Sequence, residues 1–211
     1  MDSEPPAFLW NGPSAAETVV LLAHGAGAPM DTPFMSFFAE GVAALGMRVG
    51  RFEFPYMAAR RINGAKKPPN PAAVLLDTWR AAIAVCDAKS IIIGGKSMGG
   101  RMASMIADEM NVTGLMCLGY PFYGAGKRDK PRIAHLEHLK TRTLICQGER
   151  DALGDRPAVE AITLSPHIAV HWLPDGDHDL KPRKASGHTH EGNLNSALDA
   201  ISQFLSGLAK A

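Results

Sequence analysis

The stretch Ile91-Ile92-Ile93-Gly94-Gly95-Lys96-Ser97-Met98-Gly99-Gly100 decides the fold. Three branched apolar residues in a row read as a strand buried on both faces. Beyond the glycines, Met98, Met102, Met105 and Ile106 recur at helical spacing. Between strand and helix lies G-x-S-x-G, as Gly95-Lys96-Ser97-Met98-Gly99. A serine on so tight a strand-to-helix turn is forced outward, and its flanking positions must be small because a side chain there would strike the neighbouring strand or helix. The turn also puts the Met98 amide at a helix start, where unpaired N–H groups are available to an oxyanion. Two rival readings of the glycines fail. A phosphate-cradling G-x-x-x-x-G-K-[ST] loop needs glycine at position 90, which is Ser90. The G-x-G-x-x-G spacing of a dinucleotide site is absent.

Outward from this turn, apolar runs alternate with helical patterns. Residues 19–23, 48–54, 90–93, 115–118, 143–146 and 168–173 read as strands. Leu75, Trp79, Ile83 and Cys86 mark one helix, and Leu194, Leu198, Ile201, Leu205 and Leu208 another. Alternation of this kind predicts a three-layer α/β/α sandwich around a mostly parallel sheet, with residues 1–211 forming one domain. Residues 57–71, with Arg60-Arg61, Lys66-Lys67 and Pro68-Pro69, read as a loop. The short interval between Pro121 and Thr143 leaves little room for a large lid.

Bulk properties narrow the function. Lys plus Arg is 22 against 21 for Asp plus Glu, a formal net charge of +1, so no strong field draws nucleic acid or an anionic membrane. The start, MDSEPPAFLW, lacks the basic and apolar regions of a secretory signal, and no apolar run is long enough to span a bilayer. Cys86, Cys117 and Cys146 are odd in number and sit in apolar runs, as buried thiols of a reducing compartment do. The expectation is a cytoplasmic protein without membrane or nucleic-acid partners; its oligomeric state is not legible.

A serine hydroxyl needs an imidazole to take its proton and a carboxylate to orient that imidazole, and on a strand-turn-helix serine these follow in the order acid, then histidine. Asp151 lies just past the strand at 143–146, which places it on the same sheet edge as Ser97. Asp155 reads better as the cap of a helix beginning near Pro157, and Glu149 serves only if the turn is shifted. His178 follows the last strand in a glycine-containing loop and reads as the base. Asp177 and Asp179 beside it read as turn-forming or solvated. His135, His138, His167, His171 and His188 have no partner in the pattern, and His188-Thr189-His190 lacks the further ligands of a metal site. No metal and no cofactor are expected.

The loop after the first strong strand, Ala23-His24-Gly25-Ala26-Gly27-Ala28, is small enough for its backbone to approach a substrate carbonyl. The Ala26 N–H, with that of Met98, reads as the oxyanion donor pair, and His24 as a brace for the loop. Gly25, Lys96 and Arg101 are candidate substrate contacts. Lys96 and Arg101, with Arg60, Arg61, Lys181 and Arg183, form a basic group open to two readings, contacts to an anionic substrate or, more simply, salt bridges and a solvated rim.

Four segments, HGAGA, GGKSMGGR, GERD and GDHDL, resemble the α/β-hydrolase superfamily, and within it the small lidless group near the dienelactone hydrolases. The resemblance runs from about Val19 to the C-terminal helix. RFEFPYM and Lys181-Pro182-Arg183 resemble a little-characterised subgroup. The resemblance implies a Ser97, Asp151, His178 triad and cleavage of ester-like bonds in small molecules. Dienelactone hydrolases typically carry cysteine at the nucleophile position; Ser97 here leaves the dienelactone substrate uncarried. The expectation is a serine hydrolase working through an acyl-enzyme, esterase, thioesterase and acyl-peptide hydrolase being alike in this pattern. The alternative is a hydrolase-shaped module that binds a protein or small ligand without turnover.

Overall fold

A computed structural model describes residues 4–209. Its sheet has seven strands: β1 (Phe8–Asn11), β2 (Thr18–Ala23), β3 (Arg48–Phe52), β4 (Ser90–Lys96), β5 (Gly114–Leu118), β8 (Thr143–Gly148) and β9 (Ile168–Leu173), in the spatial order β1-β3-β2-β4-β5-β8-β9. Only β1 is antiparallel to its neighbour. All six expected strands are present; β1 and a two-stranded hairpin, β6 (Tyr123–Gly124) with β7 (Lys127–Pro131), were not anticipated. That hairpin lies in the short interval after Pro121, and no large lid is inserted there.

Strand alternation divides the interior in two. Val19, Leu21 and Ala23 of β2 face one core, where Trp79 of α3 (Ala72–Ala84) and Met102 of α4 (Met98–Ser104) join Ile93, Leu115 and Ile145. Val20 and Leu22 face the other, against Met35, Phe38 and Val42 of α1 (Pro33–Ala43) and Ala197, Ile201 and Leu205 of α6 (His190–Leu208). Helices therefore cover both faces, giving the expected α/β/α sandwich. Among the described residues no helix is long and apolar enough to cross a membrane.

Two local expectations need correction. Residues 57–71 are not one loop: Pro55–Asn63 form helix α2, with Pro55 at its first turn and Gly64 at φ +71° closing it. Only Tyr56 and Met57 of α2 are buried, so the segment lacks the apolar period by which helices are read. Met105 falls just after α4 and is 38% exposed, whereas Met102 and Ile106 are buried. Asp155 caps a short helix α5 (Arg156–Glu160), its side chain accepting from the Ala158 N–H, as expected.

Candidate active site

Ser97 stands at the junction of β4 and α4 with φ 50° and ψ −115°, a conformation that costs a non-glycine residue about 1–3 kcal/mol and persists only where the surroundings enforce it. They do so by contact. A Cβ at Gly95 would lie 2.0 Å from the Ala23 carbonyl oxygen, and one at Gly99 would lie 2.4 Å from the same atom. Neither position admits a side chain, so β4 and α4 close on β2 and Ser97 is turned out over the carboxyl ends of the strands.

Asp151 and His178 reach that edge from β8 and β9. His178 Nε2 lies 2.8 Å from Ser97 Oγ, and its Nδ1 lies 2.7 Å from Asp151 Oδ2. The structure thus brings the three predicted side chains into one hydrogen-bonded chain, spanning 81 positions between serine and histidine. Asp151 is fully buried. Its Oδ1 accepts from the Leu153 N–H at 2.8 Å and its Oδ2 from Gln147 Nε2 at 2.9 Å, so the carboxylate is held on both oxygens. The rival acids are engaged elsewhere: Glu149 accepts from the Asp175 N–H and Arg156, and Asp155 serves as the α5 cap and pairs with Arg128.

Gln147 was missed in the sequence. It is wholly buried, and beyond Asp151 it donates to the Tyr120 and Gly154 carbonyls while its Oε1 accepts from the Tyr120 N–H at 2.7 Å. An amide at the end of a strand buried on both faces was the available signal, since a buried polar side chain must find partners.

The loop after β2 is anchored from behind. His24 is fully buried, and its Nε2 accepts from the Phe54 N–H at 3.2 Å. The ring therefore carries its proton on Nδ1, which donates to the Gly25 carbonyl at 2.6 Å. Burial pushes the imidazole pKa down, which favours this neutral form. A peptide C=O and the following N–H point in opposite directions, so drawing the Gly25 carbonyl toward His24 turns the Ala26 N–H away from it. Tyr56 of α2, also missed in the sequence, donates its hydroxyl to the Ala26 carbonyl at 2.8 Å, and Arg60 donates to the Gly27 carbonyl. Neither the Ala26 nor the Met98 amide has an acceptor among the described residues.

A cleft of ≈ 650 Å³ opens beside the serine. Ala28, Pro29, Pro33, Phe34 and Met35 form an apolar wall, and Ser97, His178, Lys96, Asp179, Lys181 and His190 line the polar side. Of the predicted basic contacts, Lys96 and Lys181 lie here. Lys96 is buried, donating to the His178 carbonyl and pairing with Asp179 at 3.1 Å; burial lowers its pKa and Asp179 opposes that shift. Arg101 is not among the lining residues: its Nε is buried without a partner among the described residues, on the side of α4 near Tyr120 and His135. Arg61 pairs with Glu53 and Asp31, and Arg183 with Asp175. His190 meets the Asp179 carbonyl at 3.0 Å rather than His188.

Residues 16–206 match the model of a family described as an alpha/beta hydrolase domain. Among solved structures, dienelactone hydrolase from Anabaena variabilis superposes with a TM-score of 0.72 at 18% identity, covering 97% of this chain and 97% of that one. Est1E from Butyrivibrio proteoclasticus gives 0.72 at 13% identity, over 96% and 93%. XC6422 from Xanthomonas campestris, an α/β serine hydrolase without a lid, gives 0.68 at 16% identity, over 96% and 94%. At these identities the likeness is one of fold.

Proposed function

The chain belongs to the α/β-hydrolase domain family, and from that premise we propose that it is a serine hydrolase cleaving carboxylic ester-type bonds of small molecules through Ser97, His178 and Asp151. Ser97 Oγ attacks the substrate carbonyl while His178 Nε2 takes its proton. Asp151 holds the imidazole by Nδ1–H and stabilises the cation that forms. Ala26 and Met98 amides receive the oxygen as it becomes negative. Collapse of the tetrahedral species breaks the bond to the leaving group, to which His178 returns the proton. Water, deprotonated by the same imidazole, then attacks the acyl-serine and releases the acid. No step draws on a metal or cofactor.

One observation carries this reading. The imidazole stands between hydroxyl and carboxylate at 2.8 and 2.7 Å, and binding alone would not require such an arrangement. The strained Ser97 backbone agrees with it, and the apolar wall of Phe34, Met35 and the prolines suits a short acyl chain or a small alcohol. Labelling with a fluorophosphonate probe, followed by a panel of esters and thioesters of graded acyl length, tests it. The native protein should be labelled on Ser97, and Ser97→Ala should lose label and at least about a thousandfold in turnover while keeping its thermal transition. A folded native protein that takes no label and hydrolyses nothing in the panel would be a binding module instead.

A further inference from the structure

Lys96 stands in the x position between glycine and serine, yet it is only 9% exposed. Removing an ammonium from water is costly unless its donors are used, and both polar contacts made here fall on the His178 loop. Its Nζ donates to the backbone carbonyl of His178, pairs with Asp179 Oδ1 at 3.1 Å and lies 5.3 Å from the Phe34 ring centroid. Gly119, at φ +66°, closes the joint from β5: a Cβ there would fall 2.7 Å from the His178 carbonyl oxygen and 3.0 Å from Lys96 Nζ.

We propose that Lys96 is a positioning residue that fastens the His178 loop to the nucleophile strand and so keeps the imidazole aimed at Ser97; this rests on the triad reading above. The other ties of the loop run elsewhere. Asp177 Oδ1 accepts from the Asp179 and Lys181 amides, holding the loop to itself. Asn193 donates to the Pro174 and Leu180 carbonyls, holding it to α6. Apart from the reacting Ser97–His178 contact, Lys96 supplies the polar tie from β4 to the loop, and it grips the main chain of the very residue that must turn its ring. A carbonyl grip fixes where the His178 Cα sits, leaving the ring free to alternate between serine and leaving group. A methionine or leucine would fill the same space against Phe34 without that grip.

Lys96→Met retains the stem and removes the donor. Displacing a catalytic group by about 1 Å costs up to about a hundredfold, so kcat for a neutral ester should fall about ten- to a hundredfold while KM stays within about threefold. The far-downfield proton of the His178–Asp151 hydrogen bond should broaden or shift in the NMR spectrum, which a merely space-filling lysine would not cause. Gly119→Ala perturbs the same joint from β5 and should produce the same kcat-selective loss; it decides the matter alone if Lys96→Met lacks a cooperative thermal transition. A folded Lys96→Met with native kcat and an unmoved resonance, or a loss confined to KM, would overturn the proposal. So would a native kcat in Gly119→Ala. Failure of the native protein to turn over any ester would instead sink the hydrolase reading itself.

Discussion

Replacing Gln147 with leucine tests whether the buried amide is what holds Asp151 in place. The side chain is fully buried and makes four hydrogen bonds. Two amide hydrogens serve three acceptors: Asp151 Oδ2 at 2.9 Å, the Gly154 carbonyl at 3.0 Å and the Tyr120 carbonyl at 3.2 Å. The amide oxygen takes the Tyr120 N–H. Leucine fills nearly the same volume, so packing changes little and the polar groups left behind dominate. The stranded Tyr120 N–H is a buried donor costing about 1–3 kcal/mol. Two backbone carbonyls and the charged carboxylate lose a donor at the same time. Because these share one amide, the sum stays below full additivity, at about 3 kcal/mol or a little more. Urea unfolding followed by tryptophan fluorescence reads it directly. With a slope of about 2–3 kcal/mol per molar, the midpoint should drop by about 1 M. Asp151 keeps its bonds to Leu153 and His178, so residual activity at low temperature should remain within about tenfold of native. A midpoint lowered by less than about 0.3 M would mean that water or local repacking replaces the amide, and that Gln147 does not govern the acid.

Two further outcomes follow from the same geometry. Tyr56→Phe removes the hydroxyl that holds the Ala26 carbonyl; kcat for a small ester should fall about tenfold with a stability loss of about 1 kcal/mol, checked by steady-state kinetics and thermal melts. An unchanged kcat would mean that the proposed role of the loop after β2 does not depend on the Tyr56 hydroxyl. His135 lies among Ser104, Tyr120 and Arg101, and burial, followed by the Arg101 charge, lowers its pKa from 6.5 to about 4. Below pH 6.5 the unfolded chain takes up a proton that the folded chain refuses, so this contribution to stability is full above 6.5 and is lost as the pH falls toward 4. The urea midpoint should therefore drop between pH 7.5 and pH 5 by more in the native protein than in His135→Gln; equal drops would assign the acid sensitivity to other groups.

Much of the fold could be read from local pattern. Apolar runs such as Ile91-Ile92-Ile93 need no distant partner to announce a buried strand, and the Gly95-to-Gly99 turn carries its own steric reason. Asp151 and His178 were reached through strand ends, because the carboxyl edge of a parallel sheet collects residues distant in sequence. What escaped depended on contacts that no local pattern encodes. Helix α2 buries two residues and looked like a loop; Tyr56 matters because its hydroxyl lands 30 positions back, on Ala26. Gln147 finds its partner in Tyr120, 27 positions away. In sequence Lys96 reads as a substrate contact or a rim charge, since lysines are seldom buried, and its reason for being buried lies 82 positions along the chain. Arg101 was grouped with it on charge and position, although one turn of helix carries its side chain away from the cleft.

Ser97, Asp151 and His178 hang from β4, β8 and β9, and β5 stands between the first two. At about 4.8 Å per strand, the base must arch roughly 14 Å back across the sheet to meet the serine. On the proposed mechanism, Ser97 becomes reactive only when the last strand has docked at the far edge and the closing helix has sealed it. Acylation by a probe then serves as an assembly signal. A nascent or partly opened chain would have the serine in its turn and yet be chemically silent.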